Sequence, residues 1–186
     1  MYSAFIRDQN ATSENERRSA HEFSSEIRAI TPTNTEIKNI NPVGLGFFVE
    51  YENDESVNFI FKPEVIRNLD SKKLSASLAK SLAYKREIFA LDIPSAIYSK
   101  SIDQIMAEIR SFTTNIIHVK HIHSNTTNRH YLVLTAENEN LRNDLLNNNS
   151  MTLFGHNLKI ERPIERNRDR NNMPNGSNNE LYPDPI

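Results

Sequence analysis

The chain has 186 residues, 37% of them hydrophobic, enough for one medium domain or two small ones near the lower size limit of a self-sufficient core. A formal net charge of −2 and a pI near 6.3 argue against a tight, non-specific phosphate-backbone binder. No cysteine is present, which excludes disulfides, thiolate metal sites and thiol nucleophiles; the opening "MYSAFIRDQN" and the lack of a long apolar run point away from a secretory signal or a membrane span, and toward a cytoplasmic or nuclear protein without a membrane partner.

In chain order, "YSAFIRD" reads as a strand and "NERRSAHEFSSEIRAI" as a helix with Phe23, Ile27 and Ile30 inward. "EIKNINP" and "GFFVEY" read as two further strands. "DESVNFIF" continues to "PEVIRNL" as helix, with a break or restart at Pro63; "VNFIF" equally fits a strand pairing back on "FFVEY" across the "NDES" turn. "KLSASLA" closes this half as a strand, and the short "KSLAYKRE" connects it to the next.

The second half repeats that order. "REIFALDI" is a strand, and "SIDQIMAEIRSF" places Ile102, Ile105, Met106 and Ile109 at helical spacing behind an N-cap at Ser101 or Ser99. "IIHVKHIH" and "HYLVL" are strands around the turn-rich "SNTTN"; "ENENLRNDLL" is a short helix with Leu141 and Leu145 on one face, and "HNLKIER" a last strand. Sliding the chain on itself supports the duplication. "EIRAITPTNTEIKNI" matches "EIRSFTTNIIHVKHI" at an offset of 82, while Phe5/Phe89, Val49/Val133, Glu55/Glu139 and Leu74/Leu158 match at 84.

Each half is thus β-α-β-β-α-β, which predicts an α+β chain of two tandem ferredoxin-like sandwiches, residues 1–82 and 83–163. Residues 164–186, rich in Asn, Arg and Pro, are expected to be a disordered tail.

Both halves resemble the RNA recognition motif (RRM) family. Its third strand carries an octamer [KR]-G-[FY]-[GA]-[FY]-V-x-[FY], and its first strand a hexamer with an aromatic second residue. "GLGFFVEY" matches the last four places through Phe48, Val49, Glu50 and Tyr51, and departs earlier at Gly44, Gly46 and Phe47. Strand alternation then puts Phe47, Val49 and Tyr51 in the core, and Phe48 outward beside Phe5 and Arg7. The resemblance makes Phe5 and Phe48 the two central base-stacking positions. In the second half, "IFALDI" keeps Phe89 at the hexamer aromatic, and "NRHYLVLT" aligns Asn128, His130, Leu132 and Leu134 as the outward set, joined by Phe89 and Leu91.

The expected nucleic-acid contacts are therefore Phe5, Arg7, Lys38, Phe48, Phe89, Lys120 and His130, with Arg166, Arg168 and Arg170 of the tail reaching phosphates unless that tail is a plain solvated linker. Leu91, Leu132 and Leu134 form an apolar group suited to a protein contact, within the chain or with a partner. His118, His121 and His123 crowd one strand, but alternation separates His118 from the other two, so neither a metal nor any other cofactor is expected. The acidic run Glu50, Glu52, Asp54 and Glu55 reads as a solvated turn, "GLG" does not open a helix as a phosphate loop would, and no triad spacing appears. The expectation is a protein without enzymatic activity or a small-molecule substrate that binds single-stranded RNA with modest affinity. The alternative is an assembly module whose sheet faces bind protein, including further copies of itself. The two modules with an Asn/Arg tail also resemble the gag-like first-reading-frame proteins of non-LTR retrotransposons, although the absence of cysteine leaves no zinc knuckle.

Overall fold

A computed structural model describes residues 2–163. The expected tail, with Arg166, Arg168 and Arg170, lies outside the described residues. The chain is mixed α/β with two antiparallel sheets, and it divides into two compact units between Leu82 and Ala83. No helix among the described residues is long and apolar enough to cross a membrane.

The first unit runs β1 (Tyr2–Asp8), α1 (Ala20–Ile30), β2 (Ile37–Val43), β3 (Gly46–Tyr51), α2 (Asp54–Asn58), a 3-10 turn (Phe59–Phe61), α3 (Pro63–Ser71) and β4 (Leu74–Leu78). Its sheet has the order β2-β3-β1-β4, antiparallel throughout. Helix α1 starts at a reciprocal cap. Ser19 Oγ accepts from the Glu22 N–H at 3.2 Å, and the Glu22 carboxylate accepts from the Ser19 N–H at 2.9 Å. Phe23 and Ile27 are buried, whereas Ile30, in the last turn, is only half-buried. The Phe23 ring stacks on Phe47 at 4.0 Å and 7°, which fixes the Phe47 side of β3 as the core side.

"VNFIF" is helical rather than a strand. Asn53 caps α2 by accepting from the Ser56 N–H at 2.8 Å. Phe59, Ile60 and Phe61 are all buried in succession, which a one-face-buried strand cannot achieve. Pro63 opens α3 at its first position, where its missing N–H costs no hydrogen bond.

The second unit follows α4 (Lys80–Arg86) with β5 (Glu87–Ala90), α5 (Ser95–Tyr98), α6 (Ile102–Arg110), β6 (Ile116–Ser124), β7 (Arg129–Ala136), α7 (Glu139–Leu146), β8 (Ser150–Leu153) and β9 (His156–Glu161), in the sheet order β6-β7-β5-β9-β8. Ser101 is the cap of α6, paired reciprocally with Gln104. Ile105, Met106 and Ile109 face the core, but Ile102, in the first turn, is 37% exposed rather than inward. Leu141 and Leu145 of α7 are half-buried. Strand β8 is an addition to the expected order; its hairpin to β9 turns on Phe154 and Gly155, at φ +48° and +78°, the sense that matches the twist of paired strands.

The register of β7 overturns one expectation. Ile88, Phe89 and Ala90 lie opposite Leu134, Val133 and Leu132 respectively, and Leu132 and Leu134 are core residues with 0% exposure. Neither forms the outward apolar group expected of them, and Leu91 is left half-buried. Matching the halves by sequence paired Phe48 with Leu132. The strand partners instead make Val133, opposite Phe89, the counterpart of Phe48, opposite Phe5. A one-residue slip in a period of two turns every side chain to the other face.

Candidate nucleic-acid interface

The centre of the first unit's sheet is built from β1 and β3. Phe5 lies opposite Phe48, and Arg7 opposite Gly46, so these side chains share the face opposite the one that Phe23 covers. The Phe5 and Phe48 rings are 5.4 Å apart and tilted by 58°. Gly46 controls how Phe5 lies. A Cβ there would meet the Ile6 carbonyl oxygen and come within 2.9 Å of both Phe5 Cζ and Arg7 Cα. Because position 46 has no side chain, the Phe5 ring can settle over it, against the backbone.

That packing corrects the expectation that Phe5 is an exposed platform: it is only 5% exposed. Phe48 is half-buried and is the accessible ring of the pair. Arg7 is half-buried too, and its Nε is enclosed with no hydrogen-bond acceptor among the described residues. A buried donor left unpaired is costly, so an Nε–H in this state favours any acceptor brought to that face.

Around these three residues the same face carries short polar groups that the octamer comparison overlooked. Asn41 lies opposite Phe48 and Asn39 opposite Glu50; on the other flank, Ser77 lies opposite Phe5 and Ser75 opposite Arg7. Alternation along "EIKNINP" and "KLSASL" was the signal that could have found them. Lys38 is exposed, in the irregularity where β2 shifts register between Ile37 and Asn39.

In the second unit the equivalent face is more closed. Phe89 is 3% and Val133 5% exposed, so Phe89 is not the open stacking ring expected of it. Lys120 is exposed and lies opposite Val133. His118, opposite Thr135, is driven down to a pKa of about 4 by burial and then by the Lys120 charge, so it is neutral at pH 7. His130 shares the parity of Leu132 and turns with it to the opposite side from Phe89, where its ring stacks on Tyr98 at 3.7 Å. The expected grouping of Phe89 with His130, Leu132 and Leu134 is therefore split across the sheet by the register. Buried cations in this unit are structural: Arg86 donates from Nε to the Ala136 carbonyl at 3.0 Å and from Nη2 to the Glu137 carbonyl at 2.6 Å.

No family model and no curated protein sequence matches the chain. Among solved structures it is similar to the N-terminal three RNA binding domains of the yeast splicing factor Prp24, at 10% identity and a TM-score of 0.35, covering 88% of this chain and 66% of that one. It is also similar to the C. elegans NONO-1 homodimer structure, at 13% identity and a TM-score of 0.37 over 97% of this chain and 67% of that one. A third is the first two RRM domains of the yeast poly(U) binding protein Pub1, at 13% identity and a TM-score of 0.32 over 86% and 97%.

Proposed function

We propose that the chain binds single-stranded RNA through the β1–β3 face of its first unit, with Phe48 stacking a base, Phe5 supporting that ring from below, and Arg7 donating to a base carbonyl or a phosphate. The carrying observation is the Arg7 Nε, enclosed without an acceptor on the face that presents Phe48. A half-open ring next to an arginine whose Nε has no acceptor among the described residues suits a planar, anionic ligand better than an apolar protein surface. Asn39, Asn41, Ser75 and Ser77 supply donors and acceptors at base height on either side.

The same proposal takes each unit as a ferredoxin-like sandwich of the RRM type, spanning residues 1–82 and 83–163, a reading supported by the β2-β3-β1-β4 and β6-β7-β5-β9 strand orders. It includes no catalytic step. The assembly alternative loses one of its two motives, because Leu132 and Leu134 are core residues, and keeps the acidic pI. Light scattering with and without RNA separates the two readings: an oligomer indifferent to RNA favours assembly, and a monomer that binds RNA disfavours it.

Fluorescence anisotropy with short single-stranded RNA tests the core of this reading. Phe48→Ala and Arg7→Ala should each weaken binding, Phe48→Ala by the roughly 1–3 kcal/mol a stacked base contributes. Wild-type affinity in both variants would sink it.

A further inference from the structure

At one end of the β6–β7 hairpin, on the Leu132 side of the sheet, four rings lie nearly parallel. Tyr98 of α5 stacks on His130 of β7 at 3.7 Å and 13°, and His123 of β6 stacks on His130 at 4.3 Å and 14°. His121 lies alongside, its centroid 5.0 Å from that of His130, with His121 Nε2 and His130 Nδ1 2.8 Å apart and sharing one hydrogen. Tyr98 thus takes one face of His130 and His123 takes the other.

Each rung is held in place. Tyr98 packs against the core of the unit. His130 and His123 face each other directly across the strand pair. The His123 Nε2–H donates to Asn128 Oδ1 at 2.9 Å, and Asn128 sits at φ +54° in the turn, a conformation Asn tolerates better than most residues. Among the described residues no three His, Cys, Asp or Glu are arranged to hold a metal ion, these imidazoles included. Burial first, and then the neighbouring imidazoles, keep His121 and His130 below the usual histidine range, which lessens charge repulsion between those two rings.

The ladder is unfinished at one end. His123 is exposed, and among the described residues its one ring partner is His130. We propose that His123 is a stacking site for a nucleobase of single-stranded RNA, the next rung of the Tyr98–His130–His123 ladder. A π-face already aligned by two rings beneath it loses little freedom on binding a third planar group. This site lies on the opposite side of its sheet from the Phe89 face, and it rests on the RNA-binding reading above while using none of the residues of the first unit.

The test follows the His123 ring in aromatic proton NMR of the full chain titrated with short single-stranded oligoadenylate, together with anisotropy on three variants. Stacking predicts an upfield shift of the His123 ring protons, with Tyr98 unmoved because His130 stands between. It predicts roughly five- to tenfold weaker binding for His123→Ala and near-wild-type binding for His123→Phe, which keeps a ring. RNA binding that leaves the His123 signals unmoved, or equal loss in the Ala and Phe variants, overturns the inference. If Phe48→Ala binds normally while His123 still responds, the first-unit reading fails and the ladder site stands. No binding by the wild type overturns both.

Discussion

Gly46 decides the character of the first unit's sheet face more than either phenylalanine does. The resembled octamer places an aromatic ring there, and a ring at 46 would stand where Phe5 now lies. Gly46→Ala is expected to lower stability by about 1–3 kcal/mol, as overpacking does, read as a lower urea midpoint with an unchanged slope. Proximity to the Ile6 carbonyl, a backbone atom, is what keeps the site from simply yielding. His118 offers a second single-residue test. Its folded pKa of about 4 lies below its ordinary 6.5, so between those values the unfolded chain binds the proton first. Stability from this group is full above about pH 6.5, falls as pH drops toward about 4 and levels off below. A histidine NMR titration should show one ring with a midpoint near 4, and His118→Phe should flatten that part of the stability curve.

Between elements, an ion-pair lock ties β1 to the start of α1 and the end of α3. Arg18 donates from Nε to Asp8 Oδ2 at 2.9 Å, from Nη1 to Glu26 at 2.5 Å and from Nη2 to the Lys72 carbonyl at 2.9 Å, and its own N–H reaches Asp8 at 3.0 Å. Asp8 is buried; burial pushes its pKa up, but the Arg18 and Asn10 hydrogen bonds and the Arg18 charge outweigh it, and the net direction is down. Asp8 therefore adds stability above its unfolded pKa that is lost as pH falls through the folded one. Removing the partner strands a buried carboxylate, so Arg18→Ala should cost about 2–4 kcal/mol, somewhat less than a fully buried pair because Arg18 is partly exposed. Chemical denaturation at pH 7 and again at pH 3 checks this, with the gap between variant and wild type narrowing at the lower pH. In the second unit, Arg86 and Arg142 bind the Ala136, Glu137 and Tyr84 carbonyls across α4, β7 and α7. A second-unit fragment that begins after Arg86 would lose all three of these bonds.

At the scale of the molecule, if the proposed RNA binding runs through Phe48 and one or two cations, a chain of net charge −2 should show weak salt dependence. With Arg7 and Lys38 as the phosphate partners, the slope of log affinity against log salt should be about −0.7 for each contact made. Anisotropy between low and physiological salt measures it. A slope several times steeper would mean that phosphate contacts, not base stacking, dominate.

Alternation and helical spacing made most of the element order legible along the chain, β8 excepted, and with it the Ser101 cap, the restart at Pro63 and the outward parity of Phe5 and Phe48, because those signals are local; the repeat of that order made the two-unit division legible. Three things were settled only when strands met strands. The β7 register buried Leu132 and Leu134 and turned His130 toward Tyr98, since pairing depends on the partner strand and a shift of one residue reverses both faces. Phe5 is covered because a glycine on the neighbouring strand leaves it room, a relation between residues 41 positions apart in the chain. The imidazole ladder joins α5 to two strands, and no spacing within "HVKHIH" encodes where Tyr98 will be placed.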